Sequence, residues 1–216
     1  MNLNVALILI LGLTACGKGA DPLHFNGICT AYPDLETSPY ILPFEMGGEK
    51  VSVSQGNCES VTHFGPQRYA YDFAISHGTA IHAARGGTVI DIQTNYDDGG
   101  LVGYDADACA GNSIRIQHID ESVSHYFHLS AADNGVLVAV GDTVTQGDLI
   151  AHSGSSGCTG GYPHLHYVVW ANDKLEYGVG IDSMPVVFRN AYPFAHHGLQ
   201  PKSDYEPQVV DVQSEE

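Results

Sequence analysis

Tyr162-Pro163-His164-Leu165-His166-Tyr167 sets two histidines two positions apart in an aromatic and aliphatic run. On an extended strand such a pair shares one face, with the side chains about 7 Å apart along it. One imidazole can then bind a metal ion while its neighbour acts on whatever the metal holds. Two other neighbourhoods offer partners for them. Thr62-His63-Phe64-Gly65 precedes Arg68-Tyr69-Ala70-Tyr71-Asp72-Phe73. Asp72 is an acid inside an apolar run, costly to bury unless it is paired or metal-bound. Ser124-His125-Tyr126-Phe127-His128-Leu129 carries a further histidine. Read as strand throughout, it turns Tyr126 and His128 one way and His125 and Phe127 the other. The remaining histidines, His24, His77, His82, His118, His125, His152, His196 and His197, have no such context and read as bystanders.

The elements around these residues read as strands. Tyr69–Ile75, Thr88–Gln93, Ser113–His118, Ser122–His128, Leu149–His152 and Leu165–Trp170 are short runs rich in β-branched and aromatic residues. Gly86-Gly87, Asp98-Gly99-Gly100, Asn134-Gly135 and Gly141-Asp142 punctuate them, as turns do. Helical periodicity is not sustained over three turns anywhere. The expected fold class is all-β, mainly antiparallel, as a sandwich or partly open barrel.

The motifs, in order, resemble those of the lysostaphin-type zinc metallopeptidases. Asp72-Phe73-Ala74-Ile75 followed by Gly78-Thr79-Ala80-Ile81-His82-Ala83-Ala84-Arg85-Gly86-Gly87-Thr88-Val89 is similar to the first half of that domain. Tyr126-Phe127-His128-Leu129 resembles its Tyr-x-His-Leu element. Gly141-Asp142-Thr143-Val144-Thr145-Gln146-Gly147-Asp148-Leu149-Ile150 resembles its Gly-Asp-x-Val-x-x-Gly-x-x-Ile hairpin. The glycine-rich stretch from Ser153 and the Pro163-His164-Leu165-His166-Tyr167 strand complete the set, over roughly residues 45 to 171.

The resemblance implies a duplicated hybrid-motif-like β fold and a zinc ion held by two histidines and one aspartate. Asp72 and His166 carry over as metal ligands, and His128 and His164 as catalytic, non-ligand histidines. The first histidine ligand departs from the common His-x-Gly-x-Asp pattern, because Arg68 stands there and a guanidinium cannot ligate zinc. The sequence is similar to a variant branch in which an upstream Ser/Thr-His-x-Gly segment supplies the imidazole, which assigns the place to His63. Three protein ligands with one open position suit catalysis rather than structure. Zinc would lower the pKa of a bound water and polarise a carbonyl. His128 and His164 would divide proton transfer and oxyanion stabilisation, in an order the residues leave open.

The implied activity is a zinc-dependent endopeptidase acting on peptide bonds in peptidoglycan cross-links or stem peptides. A narrow groove beside the glycine-rich loop would take an extended peptide of small residues. Two other readings stand beside it. One is a catalytically inactive relative that binds peptidoglycan or activates a partner hydrolase. The other is a carrier-like β domain, which would need a lysine at a hairpin tip; neither Lys50 nor Lys174 has that setting.

Composition narrows the partners. The 216 residues carry a net charge of −17, with 8 basic and 25 acidic side chains. Nucleic acid and anionic membrane surfaces are therefore excluded as charge-driven partners. The N-terminus reads as an export signal. Val5 to Leu13 is apolar but short, and Leu13-Thr14-Ala15-Cys16 resembles a bacterial lipobox, with Cys16 as the lipidated residue. Acyl chains there would anchor the protein to a membrane of the cell envelope, the outer membrane if the organism has one. The expected organisation is a signal peptide over 1–15, a tether over 16–40, the peptidase domain over 41–196 and an acidic, disordered tail over 197–216. A monomer is expected. In an oxidising compartment Cys29, Cys58, Cys109 and Cys158 allow three disulfide connectivities, of which Cys29–Cys58 with Cys109–Cys158 is the expected one.

Overall fold

Residues 29, 31–59, 62–100, 110–173 and 182–213 are described in a computed structural model of the chain. Eleven strands form within them: β1 (Val51–Gln55), β2 (Tyr71–Ala74), β3 (Ala80–His82), β4 (Gly87–Gln93), β5 (Ser113–Gln117), β6 (Val123–Phe127), β7 (Thr143–Val144), β8 (Leu149–His152), β9 (His164–Trp170), β10 (Ala191–Tyr192) and β11 (Asp204–Pro207). Nine of them make one sheet in the order β10-β11-β1-β2-β9-β6-β5-β4-β7, and β3 pairs with β8 in a separate ribbon. Each neighbouring pair is antiparallel. The only helical element among the described residues is a single 3-10 turn, Gly65–Gln67. The chain is all-β.

Side-chain alternation along β2, β9 and β6 separates two faces. Tyr71, Phe73, Leu165, Tyr167, Val169 and Tyr126 point into the main core, where they meet Ile81 and Ile150 of the β3–β8 ribbon and Val186 and Phe188. Burying an aromatic ring of this size removes about 150–250 Å² from water, worth on the order of 4 kcal/mol each. The buried hydroxyls are satisfied: Tyr167 shares a 2.8 Å hydrogen bond with Ser124, and Tyr126 accepts from the Ala84 amide at 2.9 Å. The opposite face presents Asp72, His164, His166, His125 and Phe127. A smaller apolar cluster of Ala70, Val123, Val168 and Trp170 backs that face.

Register then brings the polar residues together. Asp72 lies opposite His166, Ala74 opposite His164, and Phe127 opposite His166 on the other side. A one-residue slip would turn all of them into the core.

Both flanking segments differ from the expected tether and disordered tail. Within 31–40, Leu35 and Tyr40 are buried, and Ser38 donates to the Val187 carbonyl at 2.5 Å. Part of the 197–216 tail becomes β11, which pairs with β1 and β10 and buries Tyr205. Pairing covers an otherwise open edge of β1, and that gain outweighs the poor strand propensity of Asp-Tyr-Glu-Pro. Cys29 and Cys58 form a disulfide, as expected. Cys158 is also disulfide-bonded; its expected partner Cys109, like Cys16 and the signal segment, lies outside the described residues.

Candidate metal centre

β2 and β9 deliver Asp72 and His166 by direct pairing, and β1 delivers the third member. Gln55, the last residue of β1, lies opposite Asp72, so the loop that follows starts beside the carboxylate. It returns His63 to the same spot. Gly65, at φ +57, adopts the left-handed conformation that glycine tolerates best and turns the chain into the 3-10 element. His63, Asp72 and His166 each offer one ligand atom, and these atoms lie within 4.8 Å of one another. All three residues are buried, at 0%, 9% and 8% exposure.

The tautomers decide what such a cluster can hold. His63 Nδ1 is 2.8 Å from the Gly56 carbonyl oxygen, which can only accept, so Nδ1 carries the proton. Nε2 is left with a bare lone pair, 3.2 Å from Asp72 Oδ1 and without a hydrogen bond. His166 Nδ1 approaches the same oxygen at 2.8 Å. A lone pair buried against a carboxylate oxygen is repulsive unless a cation lies between them. The donor set, two imidazoles and a carboxylate, fits a divalent transition metal such as zinc. Burial pushes the Asp72 carboxyl up, but the hydrogen bond from His166 Nδ1, with the His63 ring beside it, outweighs that and holds the group well below the usual carboxylate range. Burial lowers the His166 pKa, against the pull of Asp72.

His164 and His128 stand beside this group with their rings 4.6 Å apart. His164 Nδ1 donates to the Tyr162 carbonyl at 2.9 Å, and His128 Nδ1 to the Ser156 carbonyl at 2.8 Å. Each bond engages Nδ1 and leaves Nε2 clear of those carbonyls; that of His164 is 4.0 Å from Asp72 Oδ1. Burial, followed by the nearby charges of His164 and His166, lowers the His128 pKa to about 3, which keeps it neutral.

The facing expected for His128 is corrected. Tyr126 points into the core while His128 joins His164 and His166 on the opposite side. β6 ends at Phe127, and His128 has φ +62, which breaks the alternation. A left-handed non-glycine residue costs on the order of 1–3 kcal/mol, which the surrounding contacts of His128 must hold in place.

Arg68, where the common pattern has a histidine, is turned away to pair with Asp182 at 3.0 Å, and Arg85 pairs with Asp120 at 2.7 Å. Neither is the partner of Asp72. Three of the bystander histidines cap carbonyls: His82 that of Gly147, His118 that of Gly86 and His152 that of Asn134. His77 pairs with Asp98 at 3.0 Å. Two contributors were missed. The backbone carbonyls of Gly56, Ser156 and Tyr162 set the tautomers, and no residue type announces them. Asp98 fastens the glycine-rich loop, accepting from the Ser155 and Ala131 amides at 2.7 and 2.8 Å. Its place in a glycine-rich turn was the available signal.

Similarity to known proteins can be set against this geometry. An "Uncharacterized metalloprotease" of Buchnera aphidicola is 35% identical over 104 residues, 48% of this chain and 23% of that protein. The "Peptidoglycan DD-endopeptidase ShyA" of Vibrio cholerae is 33% identical over 96 residues, 44% of this chain and 18% of that protein. The chain thus spans about a fifth of the length of these relatives. Among solved structures, the catalytic domain of lysostaphin from Staphylococcus simulans superposes with a TM-score of 0.39 and 25% identity, over 59% of this chain and 83% of that one. The sequence model of peptidase family M23 matches residues 66–176. That span holds Asp72, His128, His164 and His166 in their family order and begins just after His63. It covers more than half of the 216 residues, and the chain belongs to peptidase family M23.

Proposed function

We propose that this protein is a zinc-dependent endopeptidase that cuts peptide bonds in the cross-links or stem peptides of bacterial peptidoglycan. The observation that carries the reading is the convergence of His63, Asp72 and His166 beside two carbonyl-anchored histidines. Membership of family M23 and the similarity to a named peptidoglycan endopeptidase support the substrate class.

In this reading His63 Nε2, Asp72 Oδ1 and His166 Nδ1 hold the metal. When bound, zinc would act as a Lewis acid on the scissile carbonyl and acidify the attacking water. The chain's own residues do the rest. The Gly56 carbonyl fixes the ring of His63, and the sheet register fixes Asp72 against His166. His164 and His128 are held in place by their Nδ1–H bonds to carbonyls, which leaves either Nε2 to take the proton of the attacking water. The protonated ring then donates to the leaving amine, and its partner can hydrogen-bond the developing oxyanion.

We also assign Cys16 as a lipid-anchored mature N-terminus in the cell envelope, with the peptidase domain held near the wall. The Cys29–Cys58 and Cys158 disulfides support an oxidising compartment. The intact mass of the membrane-extracted protein reads this out: a mature chain with an unmodified Cys16 contradicts the anchor.

The test of function is digestion of purified peptidoglycan with and without a chelator, with products identified by mass spectrometry. New muropeptides that vanish on chelation and return with zinc are expected. Zinc bound near one equivalent without any cleavage would instead identify a non-hydrolytic binding module.

A further inference from the structure

The loop that brings His63 to the metal centre is fastened by the segment N-terminal to the sheet, through a covalent bond and a polar hub. Cys58, two residues after Gly56, is disulfide-bonded to Cys29. The Cys58 amide donates to the Arg68 carbonyl at 2.6 Å, which closes the base of the loop. Asn57 sits between them. Oriented to satisfy both ends of its amide, its oxygen accepts from the Tyr32 hydroxyl at 2.9 Å and its nitrogen donates to the Tyr69 and Ala70 carbonyls at 3.0 and 2.9 Å. Ala70 is two residues from Asp72. Gly56, whose carbonyl fixes the His63 tautomer, is thus flanked by anchored residues. The Gln55 amide supports the far side, accepting from the His63 backbone N–H at 2.9 Å when similarly oriented.

This fastening has a physical consequence. Asp72 and His166 sit on paired strands, where the ladder holds them. His63 sits on a loop, and a loop ligand has no such restraint. Ordering a loop residue costs backbone entropy, which would otherwise be drawn from metal binding. A crosslink and a part-buried amide hub supply that order beforehand.

The geometry points to the Cys29–Cys58 disulfide and Tyr32 as positioning residues for His63: they pre-order the first metal ligand, so that full zinc affinity exists only after the disulfide has formed. The site is then completed by oxidation of two thiols to a disulfide, with two electrons and two protons passed to the thiol oxidant of the export compartment. Asp72 and His166 alone hold zinc weakly. This rests on the assignment of His63 as a ligand.

The test is a double-mutant cycle in the full chain, with zinc affinity read by competition against a chromophoric chelator. Alanines are used because free thiols would themselves bind zinc. Cys29→Ala/Cys58→Ala is expected to lower zinc affinity about 10–100-fold, the usual effect of removing a residue that orients a ligand. In a His63→Ala background the same pair should change it by less than about twofold, because its effect runs through His63. Wild-type affinity in Cys29→Ala/Cys58→Ala, or an equal loss in both backgrounds, overturns the proposal. Wild-type affinity in His63→Ala alone contradicts the ligand assignment instead, so the two failures are distinguishable. Tyr32→Phe leaves the disulfide in place and guards against a misfolded double variant. It should weaken zinc several-fold with an unchanged far-ultraviolet spectrum, and unchanged affinity counts against the brace.

Discussion

At the scale of single residues, the proposed reading divides the centre into side chains that hold and side chains that transfer. His63 and His164 both donate Nδ1–H to a backbone carbonyl, at 2.8 and 2.9 Å, yet only His63 Nε2 lies within 3.2 Å of Asp72 Oδ1. That difference separates ligand from base and leads to opposite variant behaviour. His164→Ala and His128→Ala should each keep about one zinc equivalent and lose 10²–10⁴-fold in turnover, the usual worth of a positioned acid–base group. His63→Ala should lose zinc and turnover together. Metal content measured beside peptidoglycan hydrolysis distinguishes these patterns; loss of zinc from His164→Ala would contradict the division. The His-x-His pair was legible because strand alternation translates spacing into a shared face. The facing of His128 was not, since a left-handed φ at a histidine has no signature in residue type. Nor were the carbonyl partners, because every residue has a carbonyl.

At the scale of elements, the glycine-rich stretch after β8 grips His128 at both ends. The Gly154 amide donates to the His128 carbonyl at 2.8 Å, and the Ser156 carbonyl accepts from its ring at 2.8 Å. Gly154 is required by close approach: a Cβ there would meet the Ser130 backbone and Asp98 Oδ1 at 2.5 Å. Gly154→Ala should therefore cost about 1–3 kcal/mol and lower Tm by roughly 2–12 °C. Turnover should fall with it while zinc affinity holds, because no metal ligand lies on that loop. A variant with wild-type Tm and turnover would show that the loop does not position His128. Long runs such as Ser113–Gln117 and His164–Trp170 could be read from alternation and β-branched content. The short β3, β7, β10 and β11 could not, since pairing with neighbours rather than local preference makes them strands.

At the scale of the whole molecule, the sheet keeps one face for the core and the other for buried polar chemistry. That second face carries a cost on acidification. His125 is buried there, taking a 3.4 Å hydrogen bond from the Trp170 indole on Nδ1. Burial, with Arg115 and His166 nearby, holds its pKa well below the ordinary value. His128 is held down in the same way, to about 3. Below about pH 6.5 the unfolded chain protonates these rings and the folded chain does not, so the unfolded state binds more protons. Their contribution is complete above about pH 6.5 and is lost as pH falls, by up to about 1.4 kcal/mol per pH unit for each ring. Urea unfolding of the metal-free protein between pH 6.5 and 5 should show that slope, and His125→Phe should flatten it by up to about 1.4 kcal/mol per unit. An unchanged slope in His125→Phe would contradict a neutral buried ring. The all-β class and the order of motifs were visible from the chain alone. The β1–β2 pairing that brings the His63 loop to Asp72 was not, because it joins a segment before the recognisable motifs to one inside them.

The central claim is that this variant centre takes its first metal ligand from the loop after β1. Diffraction from crystals of the zinc-loaded full chain, with anomalous data collected on both sides of the zinc edge, tests it most directly. The account predicts one anomalous peak in contact with His63 Nε2, Asp72 Oδ1 and His166 Nδ1, with His128 and His164 beside it and unligated. A peak held by Asp72 and His166 together with His164 or His128, and with His63 still bound only to the Gly56 carbonyl, would contradict it.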